Sequence, residues 1–424
     1  MLIRVAALAA CWLAMASAPA LAAERLTLDD AIRRVELSHP DLRLTGARKA
    51  ILSAEMERAS LRPPLVLGAT LENFMGTGAR RFLDNAEATV TLASVFERGG
   101  KLDARKTLAQ TRIDALGVDR EAKRLDLLAE VARRYLAVAS AQRQREIAQL
   151  DIGQRTRTIA AARHRFSAGA SPQSVVFAAE AALARAELEQ ARAIQREASS
   201  KQHLAALWGE REPRFTTVAG DPYALPRVAT FVELADWLKR TPEIAQFNGE
   251  QRIREARLQL ARTQATPDWN WEVGARRFHE GNDVALIASA SMPLGSRSRA
   301  QPEIRAAEAE LAMLEIERES KQVSLYSTLA EAHGRYLSAQ LEVRRLGRDV
   351  IPKLGQAEQA AERAYRAGAI SYLEWAQLQS ERTSARRQQL EAALEAQRAL
   401  IEIQRLTGQP LVTGPAANEQ GDDR

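Results

Sequence analysis

Two periodicities alternate along the chain. Between Lys101 and about Phe166, apolar positions recur every three or four residues, with Leu125, Leu128, Ala132, Tyr135 and Ala139 forming a seam suited to knobs-into-holes packing. Leu325, Leu329, Ala332, Tyr336 and Ala339 repeat that stepping further on. No proline falls between Pro64 and Pro172, so the first seam predicts a helical rod of roughly 100 Å at about 1.5 Å per residue. Elsewhere the period drops to two. Leu65–Phe74 and Ala86–Phe96 read as strands joined by a loop containing Gly76 and Gly78. Trp269–Ala275 alternates strictly, turns at His279–Asp283 and returns as Val284–Met292. Each half therefore predicts one hairpin, and nothing else in the chain reads as strand.

The two halves are copies. Arg134-Tyr135-Leu136 aligns with Arg335-Tyr336-Leu337, and Phe166-Ser167-Ala168-Gly169-Ala170 with Tyr365-Arg366-Ala367-Gly368-Ala369. Leu207-Trp208-Gly209 matches Leu406-Thr407-Gly408, and His39-Pro40 matches Thr241-Pro242, all at an offset of about 200 residues. That spacing is far longer than a solenoid repeat of about 20–50 residues, so the duplicated unit is a whole structural module. In the first copy Thr27 is an N-cap candidate, His39-Pro40 separates two helices, and the second of them runs from about Asp41 to Arg62. The turns at Ala168-Gly169-Ala170 and Ala367-Gly368-Ala369 reverse each rod into a shorter partner, about Pro172–Trp208 and Ser371–Leu406. Pro352 predicts a kink or break in the second rod. The expected organisation is repeat 1 over residues 24–210, with its hairpin at about 65–96 and its helix pair at about 101–208. A linker at 211–228 leads to repeat 2 over 229–410, with its hairpin at about 269–293 and helix pair at about 300–406, then a flexible tail at 411–424.

Composition fits long helices: aromatics are 5% and charged residues 27% of the 424 residues. Residues 1–23 predict a secretory signal, with Arg4 before an apolar Val5–Met15 run and Ala20-Leu21-Ala22 as the cleavage pattern. Leu8-Ala9-Ala10-Cys11 resembles a lipoprotein box, but its position early in the apolar run argues against lipidation. Removal of the signal leaves no cysteine, hence neither disulfides nor thiolate metal sites. No later stretch reaches the roughly 20 apolar residues of a spanning helix, so a membrane crossing must use strands. The net charge of +6 is spread along helices beside Glu, which speaks for solvated faces over nucleic acid. His39, His164, His203, His279 and His333 are scattered without zinc spacing, and no phosphate loop or nucleophile elbow occurs. No catalytic residue, resident metal or cofactor is expected. His279 reads as an exposed turn histidine.

Strands of about 9–11 residues match a tilted bilayer crossing. Four strands cannot close a barrel, and in lipid every edge must be paired, so other copies of the chain must complete it. Three copies give twelve strands. Phe74, Phe82, Phe96, Trp269, Trp271 and Phe278 cluster at strand ends, as aromatic girdles do.

These features together resemble the TolC family of outer-membrane efflux ducts over nearly the whole mature chain. Tyr365–Glu374, its weaker partner Phe166–Ser174, the repeat spacing and Leu406-Thr407-Gly408 carry the resemblance. It implies a mainly α fold with a small β-barrel contribution: a homotrimeric duct of long coiled-coil helices in the periplasm and a twelve-stranded barrel in outer-membrane lipid. It also implies docking on an inner-membrane pump through a periplasmic adaptor. Ser291-Met292-Pro293-Leu294 and the following Gly295–Arg299 resemble the branch serving heavy-metal pumps of the resistance-nodulation-division type. By the same resemblance Tyr365 falls on the tip tyrosine and Glu374 on an acidic ring of the periplasmic gate. Three such carboxylates would attract cations and repel one another. The next acidic position is Gln377 here, and Ser174 and Val175 stand in the first copy, so a second acidic ring is not expected. Ala168, Gly169, Ala170, Ala367, Gly368 and Ala369 would form the adaptor-docking turns. The rival reading is a periplasmic adaptor or coiled-coil scaffold without a pore. An adaptor would place one helical hairpin between β-rich domains, which this chain lacks.

Overall fold

The computed structural model describes residues 25–78, 82, 85–279, 281 and 283–411. The expected signal at 1–23 with Cys11 lies outside the described residues, as do Glu280, Asn282 and the tail beyond Leu411. The first half runs β1 (Arg25–Leu26), α1 (Leu28–Ser38), α2 (Pro40–Ala59), β2 (Val66–Glu72), β3 (Glu87–Phe96), α3 (Lys101–Ser167) and α4 (Gln173–Ala205). After a linker containing β4 (Thr217–Val218), the second half runs α5 (Phe231–Leu238), α6 (Pro242–Thr263), β5 (Trp269–Phe278) and β6 (Val284–Ser291). It closes with α7 (Ser296–Arg345), α8 (Ile351–Arg366) and α9 (Tyr372–Thr407). Thr27 caps α1, its hydroxyl accepting from the Asp30 amide at 3.1 Å.

The expectation of two hairpins and no other strand needs correction. β1 and β4 pair in parallel, Arg25 with Thr217 and Leu26 with Val218. Two-residue strands carry no periodicity, so the sequence gives no sign of them. The repeated Arg-Tyr-Leu landmark explains what holds this linker. The Tyr135 hydroxyl lies 2.9 Å from the Leu26 carbonyl and 2.7 Å from that of Ala219. Its counterpart Tyr336 donates to the Pro226 carbonyl. Burial pushes both phenols up to about 12, so both stay protonated donors.

The second rod breaks upstream of the proline that signals it. Leu346–Val350 forms a π turn, with the Ile351 amide reaching back to the Leu346 carbonyl, and Pro352 sits in the first turn of α8. Proline lacks an N–H and its ring crowds the carbonyl four residues back, so the strain is taken up in the preceding turn.

Contacts divide the chain into two units, each drawn from both repeats. Of the described residues the first holds 25–40, Arg124–Trp237 and Ser327–Leu411. Its core joins Leu26, Val35, Val131, Tyr135, Leu204, Leu390 and Ile401. Leu411 packs against this core, and the rest of the expected tail lies outside the described residues. Both predicted seams are sound inside this unit's helices: Leu128, Ala132, Tyr135, Leu329, Ala332 and Tyr336 are all buried. The second unit holds Asp41–Lys123 and Leu238–Tyr326, including a four-stranded sheet of order β2-β3-β5-β6 and a small core of Leu258, Ala261, Ala300, Ile304 and Ala307. Among the described residues no helix is long and apolar enough to cross a membrane.

Candidate functional site

The sheet of the second unit joins the hairpins of the two repeats through the antiparallel pair β3–β5. Cross-strand partners share a face, and the register sorts the residues sharply. One face carries the rows Leu67-Leu92-Val273-Ala288, Ala69-Val90-Ala275-Leu286 and Leu71-Ala88-Arg277-Val284. Leu67 is 75% exposed and Leu286 89%. Phe96 and Trp269 pair at one end of this face, and both are exposed. The opposite face carries Val66-Ala93-Glu272-Ser289, Gly68-Thr91-Gly274-Ile287, Thr70-Thr89-Arg276-Ala285 and Glu72-Glu87-Phe278. Phe278 thus belongs to the polar face, unlike Phe96, Trp269 and Trp271. There Arg276 bridges Glu72 at 3.1 Å and Glu87 at 2.9 Å and donates to Thr89 at 3.0 Å. Such an exposed apolar face is unstable in water. The outer edges of β2 and β6 pair with no other strand among the described residues.

Two features shape the sheet. Gly68 and Gly274 flank Thr91: a Cβ on Gly274 would stand 2.5 Å from the Val90 carbonyl, and one on Gly68 would stand 2.7 Å from the Thr91 hydroxyl. Strands approach this closely where a sheet is curved, the use of glycine in barrels. At the helix end Lys101 bridges Asp268 at 2.7 Å, and Asp268 also accepts from the Arg98 amide at 3.0 Å. The strand exit of repeat 1 is thereby tied to the strand entry of repeat 2.

The second arrangement lies in the first unit, at the two helix reversals. Gly169 and Gly368 adopt φ of +69° and +81°. The Ala170 amide reaches the Arg165 carbonyl at 2.8 Å, and Ala369 reaches Ala364 at 2.9 Å, the same closing bond in both copies. Ala168, Gly169, Ala170, Ala367, Gly368 and Ala369 are all exposed. Arg165, which the sequence did not single out, joins the two turns. It donates to the Tyr365 carbonyl at 2.5 Å and the Ala170 carbonyl at 3.2 Å, and its guanidinium stacks over the Tyr365 ring at 4.9 Å. The Tyr365 side chain is packed, 2% exposed, with its ring 5.1 Å from that of Trp375. Glu374 and Gln377 are exposed on α9. Glu374 closes a capping box: its carboxylate accepts from the Ser371 amide at 2.7 Å, and the Ser371 hydroxyl accepts from the Glu374 amide at 3.3 Å. These bonds, the backbone one first, hold its carboxyl below the usual range. Ser371-x-x-Glu374 is a readable sequence signal for that role. Gln377 donates to Glu381 at 3.0 Å.

An exposed apolar sheet face backed by a polar one, with long paired helices, is the architecture of an outer-membrane duct, and the outer membrane efflux protein family matches residues 13–210 and 234–409. The chain belongs to that family. Its place is the outer membrane with its helices on the periplasmic side, and its partners are a periplasmic adaptor and an inner-membrane pump. Among its relatives, the cobalt-zinc-cadmium resistance protein CzcC of Cupriavidus metallidurans is 27% identical over 321 residues, 76% of this chain and 77% of that one. The pyoverdine export outer membrane protein OpmQ of Pseudomonas putida is 25% identical over 360 residues, 82% of this chain and 75% of its own. The fold is that of CusC, matched with a TM-score of 0.75 at 18% identity over 90% of this chain and 92% of that one. Members of this family are channels rather than enzymes.

Membership turns the two sheet faces into a test. Leu286→Arg places a charge on the apolar face and should cost on the order of 2 kcal/mol of insertion, with less protein in the outer-membrane fraction. Ser289→Arg, on the other face beside Glu272, should insert normally. Equal recovery of the two variants would contradict the assignment of the faces.

Proposed function

We propose that this chain forms a homotrimeric exit duct that carries divalent heavy-metal cations from pump and adaptor to the outside. The observation that carries the duct is the four-stranded sheet with one apolar face, one polar face and two edges unpaired among the described residues. Three copies supply twelve strands and leave no edge in lipid. The polar face then lines the lumen, where Glu72, Glu87 and Glu272 outnumber Arg276 and favour cations. The similarity to CzcC supports metal cargo. No catalytic step is assigned to any residue. Deleting the gene should lower the cobalt, zinc and cadmium concentrations that arrest growth. Unchanged metal tolerance with new sensitivity to organic toxicants would remove the metal cargo and leave the duct.

At the periplasmic tip, Glu374 and Gln377 face the constriction, Tyr365 buttresses it from behind through Trp375, and the turns at Gly169 and Gly368 receive the adaptor. The depressed pKa of Glu374 means its cap stabilises the fold above the usual carboxylate range and is lost as pH falls through the lowered value. Glu374→Gln keeps an N3 capping side chain and removes the charge. In planar bilayers it should lower the cation-to-anion permeability ratio severalfold while trimer yield is unchanged. An unaltered ratio would take Glu374 out of the constriction.

A further inference from the structure

The tip carries a groove that the duct itself does not use. It encloses about 410 Å³ between α3 and the end of α8. Its walls are Arg157, His164 and Arg165 on one side and Tyr365 and Arg366 on the other, floored by Ala160 and Ala161. No carboxylate lines it. Arg366 is already engaged by Glu362 at 2.6 Å, and Arg165 by the two turn carbonyls. Arg157 and His164 are exposed. Two buried polar atoms of the wall have no partner among the described residues: the Arg165 Nε and the Tyr365 hydroxyl. Both atoms are closed off from solvent, and an acceptor that reached them from the groove would relieve a cost that the unpaired donors otherwise carry. Through Arg165, which bonds the Ala170 carbonyl, the groove is continuous with the exposed turns.

We propose that this basic groove is the specificity pocket of adaptor docking, and that it takes an Asp or Glu side chain from the helical hairpin of the periplasmic adaptor. The inference rests on the reading of the Gly169 and Gly368 turns as the docking site. A carboxylate offers acceptors to a guanidinium in a paired geometry and to the phenol at once, which neither water nor an apolar side chain does. The small Ala160 and Ala161 leave room for the side chain that bears it. Arg157 at the open rim steers the approach, while Arg165 and Tyr365 fix the end point.

The test uses the purified trimer in detergent and the adaptor encoded with it, with binding followed over a salt series. Arg157→Glu should weaken binding by about tenfold or more and flatten its salt dependence. Arg48→Glu, an exposed cation on α2, should change neither. Tyr365→Phe removes a hydroxyl with no partner among the described residues, so a purely structural role predicts equal or higher thermal stability and unchanged binding. The proposal predicts that stability with weaker binding. Substituting Lys for the responsible acidic residue of the adaptor should restore binding to Arg157→Glu. Wild-type binding with Arg157→Glu and Arg48→Glu alike overturns the groove and leaves turn docking standing. No binding by the wild-type trimer overturns both. Cross-linking of Arg157→Cys to a second copy of this chain, in place of the adaptor, also overturns the proposal.

Discussion

Replacing Gly274 by valine should abolish the trimer in the outer membrane. The Cβ alone would stand 2.5 Å from the Val90 carbonyl and 2.8 Å from the Thr91 methyl, and the first of these is backbone, which cannot swing aside. Relief requires β3 and β5 to part, and that pair is the join between the two hairpins. Overpacking in a closed interior costs about 1–3 kcal/mol when side chains can yield, and more where backbone must move. Three copies of the lesion fall in one barrel, so the cost is multiplied before any strand edge closes. On mild SDS gels the heat-sensitive oligomer should vanish. Gly68→Val is the graded control, because its contact is the Thr91 side-chain hydroxyl, which can rotate. It should lower oligomer yield without abolishing it. Equal, full assembly of both variants would show that the sheet is not closely curved there.

The two hairpins were legible early from their period of two, whereas the sorting of residues between the faces came from the register. The helical seams were legible for the same reason, and Tyr135 and Tyr336 stood out as repeat landmarks. What they bind was not legible: their hydroxyls meet carbonyls of β1, of the residue after β4 and of the linker, contacts more than 80 residues away in sequence for which no local pattern exists. Sequence placed Pro352 correctly as a disturbance but not the π turn before it, because the strain is relieved in the preceding turn. At the tip, family resemblance selected Tyr365 and Glu374 but could not distinguish a packed ring from an exposed carboxylate. Burial is a property of the assembled helices, and Arg165, the residue that joins the turns, lies outside every motif.

Buried polar residues between the repeats carry the second large effect. Glu358 on α8 accepts from Gln154 of α3 at 3.1 Å and from Arg382 of α9 at 2.5 Å. One turn along, Asp151 accepts from Arg155 at 3.2 Å and Thr383 at 3.1 Å, and Thr158 pairs with Gln379 at 2.9 Å. Burial pushes the pKa of the neighbouring Arg386 down, with Arg382 adding to the effect, so this layer already holds cations at some cost. Glu358→Leu removes the carboxylate and leaves Arg382 beside Arg386 uncompensated. Loss of one partner of a fully buried pair costs about 3–5 kcal/mol, and with the Arg382 side chain 22% exposed about 2–3 kcal/mol is expected here. Adding Arg382→Leu should recover most of that loss, since an apolar pair needs no counter-charge. Thermal unfolding of the trimer reads both arms. If the double variant is as unstable as the single, the pair acts through packing and not through charge. The layer ties α3 of one repeat to α8 and α9 of the other just before the tip turns, so the single variant should also raise the leak conductance of the closed duct. The double variant, which restores the weld without the charges, should return that leak toward the wild-type level.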